Sequence, residues 1–166
     1  IGATGAHDTT AWSIAGALLA LAQHPDHLAR LQADMSLLPT AVDEMIRWVT
    51  PVKHFMRNAT VDYELAGVTI KEGESVLLSY PSANRDEKVF ADPFHFDVGR
   101  TPNKHMAFGF GAHFCLGALF APMEMRALFA ELLPRLKHFE VAGPPESTKT
   151  LFVGGLKHLP IRYELT

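Results

Sequence analysis

A chain of 166 residues, 48% of them apolar, has the material for one domain with a real core and is neither disordered nor fibrous in composition. Its 15 basic and 18 acidic side chains leave a net charge of -3, which gives no electrostatic basis for capturing nucleic acid or a membrane. A single cysteine excludes an internal disulfide framework and any zinc site built on several thiolates, and it points to a reducing, cytoplasmic setting.

Residues 3–22 read as a first helix. Within it, residues 11–22, AWSIAGALLALA, are too short to span a bilayer and lack the charged flank of a signal peptide. The segment is apolar on every side, which predicts a helix buried all round and in need of partners to cover it. No capping residue precedes it, because the chain opens at Ile1. The expectation is a fragment cut inside a helix that other segments normally surround. HPDHLARLQAD predicts a short amphipathic helix, with Pro25 in its first turn, Asp26 at its positive end, and Leu28 and Leu31 on one face. LPTAVDEMIRWV predicts a third, with Pro39 and Thr40 near its start and Pro51 after its end.

Residues 55–60, 63–65, 68–70 and 75–80 are short β-prone runs, and KEGE between the last two reads as a hairpin turn. Residues 81–113 show no steady period, and so long a loop inside a compact domain is often functional. A helical pattern resumes after Cys115 and runs through residue 133, with Pro122 expected to remove one backbone bond and bend it. FEV, LFVGG and IRYEL in the tail are predicted strands.

Four groups of residues carry chemistry. The first is FGFGAHFCLG, residues 108–117, which places Cys115 among glycines at 109, 111 and 117. Such glycines let backbone amides approach a ligand closely, and a helix starting just after Cys115 would add the positive end of its dipole. Three readings stay open from these residues alone: an inert buried cysteine, a Cys–His nucleophile with His113, and a ligand to a flat, apolar cofactor. The second group, Glu44 and Arg47, sits three apart on the third helix, and such a pair reads first as a solvated surface contact. In the third, GAHDTT, Asp8 needs a partner or water if it is buried; the alternative is an N-cap at a solvated helix start. The fourth, Arg57 in HFMRNAT, shares a strand face with Phe55 and becomes informative only beside a carboxylate.

In this order the four groups resemble the cytochrome P-450 family of haem-thiolate monooxygenases. Phe108, Gly111, Cys115 and Gly117 match the signature F-x-x-G-x-x-x-C-x-G, Glu44 and Arg47 match E-x-x-R, and GAHDTT is similar to the oxygen-activating segment. NRDEKVFADPFHFDVGR looks like the meander that precedes the cysteine loop. The resemblance implies a mainly α fold with small β-sheets, residues 1–166 being the C-terminal part of a single haem-binding monooxygenase domain. It implies haem b (iron protoporphyrin IX) with Cys115 as the axial thiolate, sulfur-facing amides in the turn of Gly109, and Arg57 and His113 on the haem propionates. Asp8 and Thr9 would relay protons to dioxygen, and Glu44 and Arg47 would be structural, joined to the meander through Arg100.

Val52, Lys53, His54, Phe55, Phe152 and Val153 match segments that line the substrate pocket. PVKHFMR, SYPSANRDE and FVGG most resemble a bacterial branch that hydroxylates terpineol, which implies a small apolar, terpenoid substrate. The implied partners are O2, a ferredoxin-type electron donor with an NAD(P)H-dependent reductase, and the N-terminal segment of the same fold. A haem-thiolate peroxygenase, a non-catalytic haem-binding protein and a cysteine-nucleophile hydrolase are the alternatives. The Asp8–Thr9 pair speaks against the first, since peroxide users need no such relay.

Overall fold

The computed structural model describes residues 2–166, so Ile1, on which the expectation of an uncapped start rests, lies outside the described residues. Helix α1 (Gly2–Gln23) ends where His24 donates from its backbone to Ala20 O and Pro25 begins α2 (Pro25–Ala33). Asp8 therefore lies inside α1 and does not cap it. Among the described residues α1 is covered along one side. Thr10, Ser13, Ala17, Ala20 and Leu21 form one buried face, while Ala11 is exposed and the rest of residues 11–22 lie between. Alanine and glycine make every face of a helix apolar, so composition carries no information about which face the fold covers.

After a single 3-10 turn (Met35–Leu37), α3 (Leu38–Val49) buries Leu38, Ala41, Val42, Met45 and Ile46. It stops at Thr50, whose φ of 44° is left-handed and whose N–H returns to Ile46 O at 3.0 Å. Helix α1 packs on α3 so closely that a Cβ at Gly16 would meet Val49 at 2.5 Å.

Four strands follow: β1 (His54–Asn58), β2 (Tyr63–Leu65), β3 (Val68–Ile70) and β4 (Ser75–Ser79). KEGE is not a hairpin turn, because β4 pairs antiparallel with β1, from His54↔Ser79 to Asn58↔Ser75. The hairpin is β2–β3, whose two turn residues, Ala66 and Gly67, both have positive φ (51° and 80°), as a two-residue connection between right-twisted strands requires. Beyond a one-turn helix α4 (Tyr80–Ala83), residues 84–110 run without regular structure, as their lack of period predicts.

Helix α5 (Phe120–Leu132) begins five residues after Cys115, so the expected immediate start is corrected: a turn over residues 116–119 intervenes. Pro122 is the third residue of α5; Ala121 N–H before it already bonds Gly117 O at 3.0 Å, so the ladder bond that Pro122 lacks is the next one, to Ala118 O, near the start of the helix. The tail forms β5 (Leu136–Val141) with β8 (Ile161–Leu165), and β6 (Glu146–Ser147) with β7 (Leu156–His158), all antiparallel. LFVGG is not a strand. Its backbone crosses to residues 51–53 instead, through Lys53 N–H to Phe152 O (2.8 Å), Gly154 N–H to Pro51 O (2.9 Å) and the lone bridge Val52↔Val153.

The core lies between α1, α2, α3 and α5. Phe129, Leu133 and Met125 meet Leu21, Leu31 and Met45, and the irregular segment adds Phe96 and Val98, both fully buried. Burying Phe129 removes a large apolar ring from water at the centre of this cluster. Phe129→Ala is expected to cost about 3–5 kcal/mol of stability, read as a lowered denaturation midpoint.

Candidate functional site

Glu44 and Arg47 are not a surface pair: both side chains are 0% exposed. Arg47 forks onto Glu44 with two 2.7 Å bonds, Nε to Oε2 and Nη2 to Oε1. Its remaining donors reach Asn84 O (2.7 Å), Pro93 O (2.9 Å) and His95 O (3.3 Å). Glu44 in turn accepts from Asp97 N–H (3.0 Å), Asn103 Nδ2 (3.1 Å) and Arg100 Nε (3.2 Å). Arg100 spends its other nitrogens on the carbonyls of Ala91, Asp92 and His95. Spacing along the helix gave the i, i+3 contact. Its burial comes from the irregular segment wrapped over it.

Three further residues complete this arrangement without a signal of their own in the sequence. Asn84, 0% exposed, donates to Thr50 Oγ1 (2.8 Å) and accepts from Met106 N–H (2.6 Å). Asn103 braces Glu44, and Arg85 lies 4.5 Å over the Trp48 ring while bonding Trp48 O. Burial, with Arg47 nearby, lowers the Arg85 pKa to about 10. The available hint was the mixture of charges and prolines without period, which left these polar groups no ladder to satisfy them.

The cysteine turn hangs from this network. Gly109 N–H bonds Met106 O (2.9 Å), and Cys115 N–H bonds Phe108 O (2.9 Å), closing the loop. Gly109 and Gly111 hold φ of 73° and 74°, which other residues adopt only under strain. Phe108 packs against the core and the Phe114 ring, while Cys115 and His113 are exposed. Gly117 faces the thiol: a Cβ there would lie 3.7 Å from Cys115 Sγ. Next to this turn opens a cavity of about 620 Å³ lined by Arg57, Tyr80, Met106 and Phe110 among others. Arg57 commits one bond, Nη1 to Met56 O (2.9 Å).

The remaining predicted residues lie apart from the turn. Asp8 is exposed and accepts from His7 Nδ1–H (2.8 Å), and Thr9 donates to Gly5 O (2.8 Å). Among the described residues no hydrogen bond joins either to the cysteine turn. Phe55, His54 and Phe152 form an aromatic group, with ring centroids 5.3 Å (Phe55–Phe152) and 5.6 Å (His54–Phe152) apart. His54 Nδ1–H holds Leu151 O at 3.1 Å, and Val52 and Val153 form the bridge beneath. Lys53 is turned elsewhere, its ammonium bonding Thr50 O (2.8 Å) and Val49 O (3.3 Å) at the negative end of α3.

These residues fit a haem. Among the described residues no group of three or more His, Cys, Asp or Glu side chains is arranged to hold a metal ion. A metal at Cys115 would have to bring its other ligands with it, as a porphyrin does. The surroundings are apolar and uncovered, with Phe110 80% and Leu116 93% exposed and Phe114 and Phe120 beside them. Arg57 lines the cavity with guanidinium donors beyond its one bond to Met56 O, groups suited to a carboxylate at such a cofactor's edge.

Two predictions follow from the buried polar groups. Arg47→Lys loses the fork and the carbonyl bonds, and should cost about 3–5 kcal/mol, measured as a lowered unfolding midpoint. His105 accepts from Ala107 N–H through Nδ1, and burial pushes its pKa below 6.5. The unfolded chain therefore takes up a proton that the folded one refuses, so this stability is complete above pH 6.5 and declines as pH falls toward the folded value. His27 is lowered in the same way, mainly by burial. Melting temperatures should fall below pH 6.5, with a shallower slope in His105→Gln.

Comparison with known proteins shows the family. The sequence model of the family described as Cytochrome P450 matches residues 3–165. The chain is 52% identical over 161 residues to cytochrome P450-terp of a Pseudomonas species, covering 97% of the chain and 38% of that protein. It is 40% identical over 159 residues to a steroid C26-monooxygenase of Mycolicibacterium smegmatis, covering 95% of the chain and 40% of that protein. Among solved structures, CYP108D1 from Novosphingobium aromaticivorans superposes with a TM-score of 0.93 at 49% identity, over 99% of this chain and 40% of that one. P450BioI, solved with an acyl carrier protein carrying hexadec-9Z-enoic acid, gives 0.91 at 37% identity, over 95% of this chain and 41% of that one. The chain thus spans about two-fifths of the length of these relatives, and members of this family bind haem b. With the cysteine turn, the buried Glu44–Arg47 pair and a match over nearly its whole length, the chain belongs to the cytochrome P450 family.

Proposed function

We propose that the protein carrying this chain is a haem-thiolate monooxygenase that inserts one atom of O2 into a C–H bond of a small apolar substrate. The observation that carries this reading is a lone exposed thiol on a glycine turn beside an open, Arg57-lined cavity, in a chain of this family. Thiolate-ligated haem, when bound, is known to favour cleavage of the O–O bond, and so supplies the oxidising chemistry.

The chain's own residues bind and orient. Cys115 would hold the iron, Phe108 and Phe110 would pack the porphyrin, and Arg57 and His113 would hold its propionates. Glu44, Arg47 and Arg100 fix the segment that leads into the turn and touch no reacting group. Thr9 donates its hydroxyl hydrogen bond to Gly5 O, so its Oγ1 lone pairs are left to accept from another donor. Asp8, exposed beside it, can take a proton from solvent and pass it on, which is the division of labour a relay needs. Phe55, Phe152, Val52 and Val153 offer an apolar wall, with His54 at its rim; Lys53 supports it from below by holding the end of α3.

A terpenoid is the substrate favoured here, because the relative named P450-terp is 52% identical to this chain over 161 residues. Relatives named for steroid oxidation and for an acyl carrier protein complex mark the other chemistries to screen. Electrons would come from NAD(P)H through a reductase and a ferredoxin-type donor. The net reaction consumes two electrons and two protons with each O2, giving hydroxylated product and water.

The test is the absorption of the reduced, carbon monoxide-bound full-length protein. A red-shifted Soret band of the thiolate type is expected, and it should vanish in Cys115→Ala. An unchanged band in that variant would refute the assignment of Cys115.

A further inference from the structure

Tyr80 occupies the corner where β4 passes into α4 and is 7% exposed. Its backbone is fully engaged, N–H donating to Lys53 O (3.0 Å) and C=O accepting from Asn84 N–H (2.9 Å). The ring leans on Phe55, centroids 6.1 Å apart. Its hydroxyl lies against the cysteine turn, since a Cβ at Gly109 would sit 3.0 Å from Oη. Among the described residues the Oη makes no hydrogen bond, and it is not one of the buried unpartnered polar atoms, so the hydroxyl stays accessible and free to donate to a ligand. Tyr80 instead lines the cavity of about 620 Å³, together with Arg57.

The polar groups lining that cavity are hydrogen-bond donors on an otherwise apolar wall. Arg57 has committed Nη1 alone, to Met56 O, so the rest of its guanidinium remains to be paired. Ser79 and Ser82 add two hydroxyls to the lining, and no acidic side chain lines it. A cation and a phenolic donor facing one cavity without a carboxylate of the chain's own call for a carboxylate from a ligand.

We propose that Tyr80 is a further haem-binding residue, whose hydroxyl donates to a porphyrin propionate beside Arg57. This rests on the haem reading above. Gly109 is then required for a second reason besides its φ of 73°: a side chain there would push the Tyr80 hydroxyl out of line.

Tyr80→Phe in the full-length haem protein removes the Oη and leaves the ring on Phe55 and Gly109. The reduced, carbon monoxide-bound band should be kept, while haem transfer to an excess of apomyoglobin should quicken by about tenfold. Reconstitution with a haem analogue lacking both propionate groups separates a direct bond from packing: with the acceptor gone, wild type and variant should release at the same rate. Equal release of free-acid haem from both proteins overturns the proposal. So does an acceleration that persists with the haem lacking propionates, which would mean that Tyr80 supports the turn only. Absence of a thiolate-type band in the wild type would instead overturn the haem reading beneath it.

Discussion

Burying Arg47 and Glu44 together is the constraint on which the rest of the structure depends. Each charge loses several kcal/mol of hydration, and their mutual attraction offsets this only when every remaining donor and acceptor finds a partner. The pair itself uses two bonds, and the others come from the backbone at Asn84, Pro93, His95 and Asp97 and from the side chains of Arg100 and Asn103. A segment with no ladder of its own thereby has its buried carbonyls satisfied by guanidinium groups. This accounts for a stretch of some two dozen residues that is irregular yet fixed, and that sends Phe96 and Val98 into the core.

From the ion pair the order passes to the thiol through short steps. Arg47 holds Asn84 O, Asn84 Oδ1 takes Met106 N–H, Met106 O takes Gly109 N–H, and Phe108 O takes Cys115 N–H. Each link is a hydrogen bond on a different peptide, so the sulfur is positioned by a scaffold even though its own turn is open to solvent. Glycines at 109 and 111 permit the sharp path, and Phe108 anchors it by packing on the core. The apolar side chains left uncovered around Cys115 are those a flat cofactor would cover.

A second scaffold holds the opposite wall. The turn over residues 151–155 is tied by backbone bonds to residues 51–53, and Gly155 lies so near Trp12 of α1 that a Cβ would approach its ring at 2.5 Å. Helix α1, which carries Asp8 and Thr9, is thus in register with the aromatic wall of Phe55 and Phe152. Lys53 contributes from below the wall, its charge spent on the carbonyl end of α3 and its pKa lowered by burial.

The sequence by itself determined the three leading helices to within a residue or two, the four short strands, the aperiodic segment and the residues of the cysteine turn. These are local matters: period, proline and glycine placement, and a motif whose spacing is set by one loop. It could not say that Glu44 and Arg47 are buried, because an i, i+3 pair has the same spacing in water and in a core, and the covering carbonyls lie some 40–50 residues away. Nor could it show that β4 pairs with β1 across an inserted hairpin, or that LFVGG spends its amides on residues 51–53. Tyr80 gave no signal at all, since only the fold brings its hydroxyl to Gly109 and into the cavity with Arg57. Tertiary structure decided these points because a buried polar group is governed by which distant backbone comes to meet it, and local sequence does not encode that.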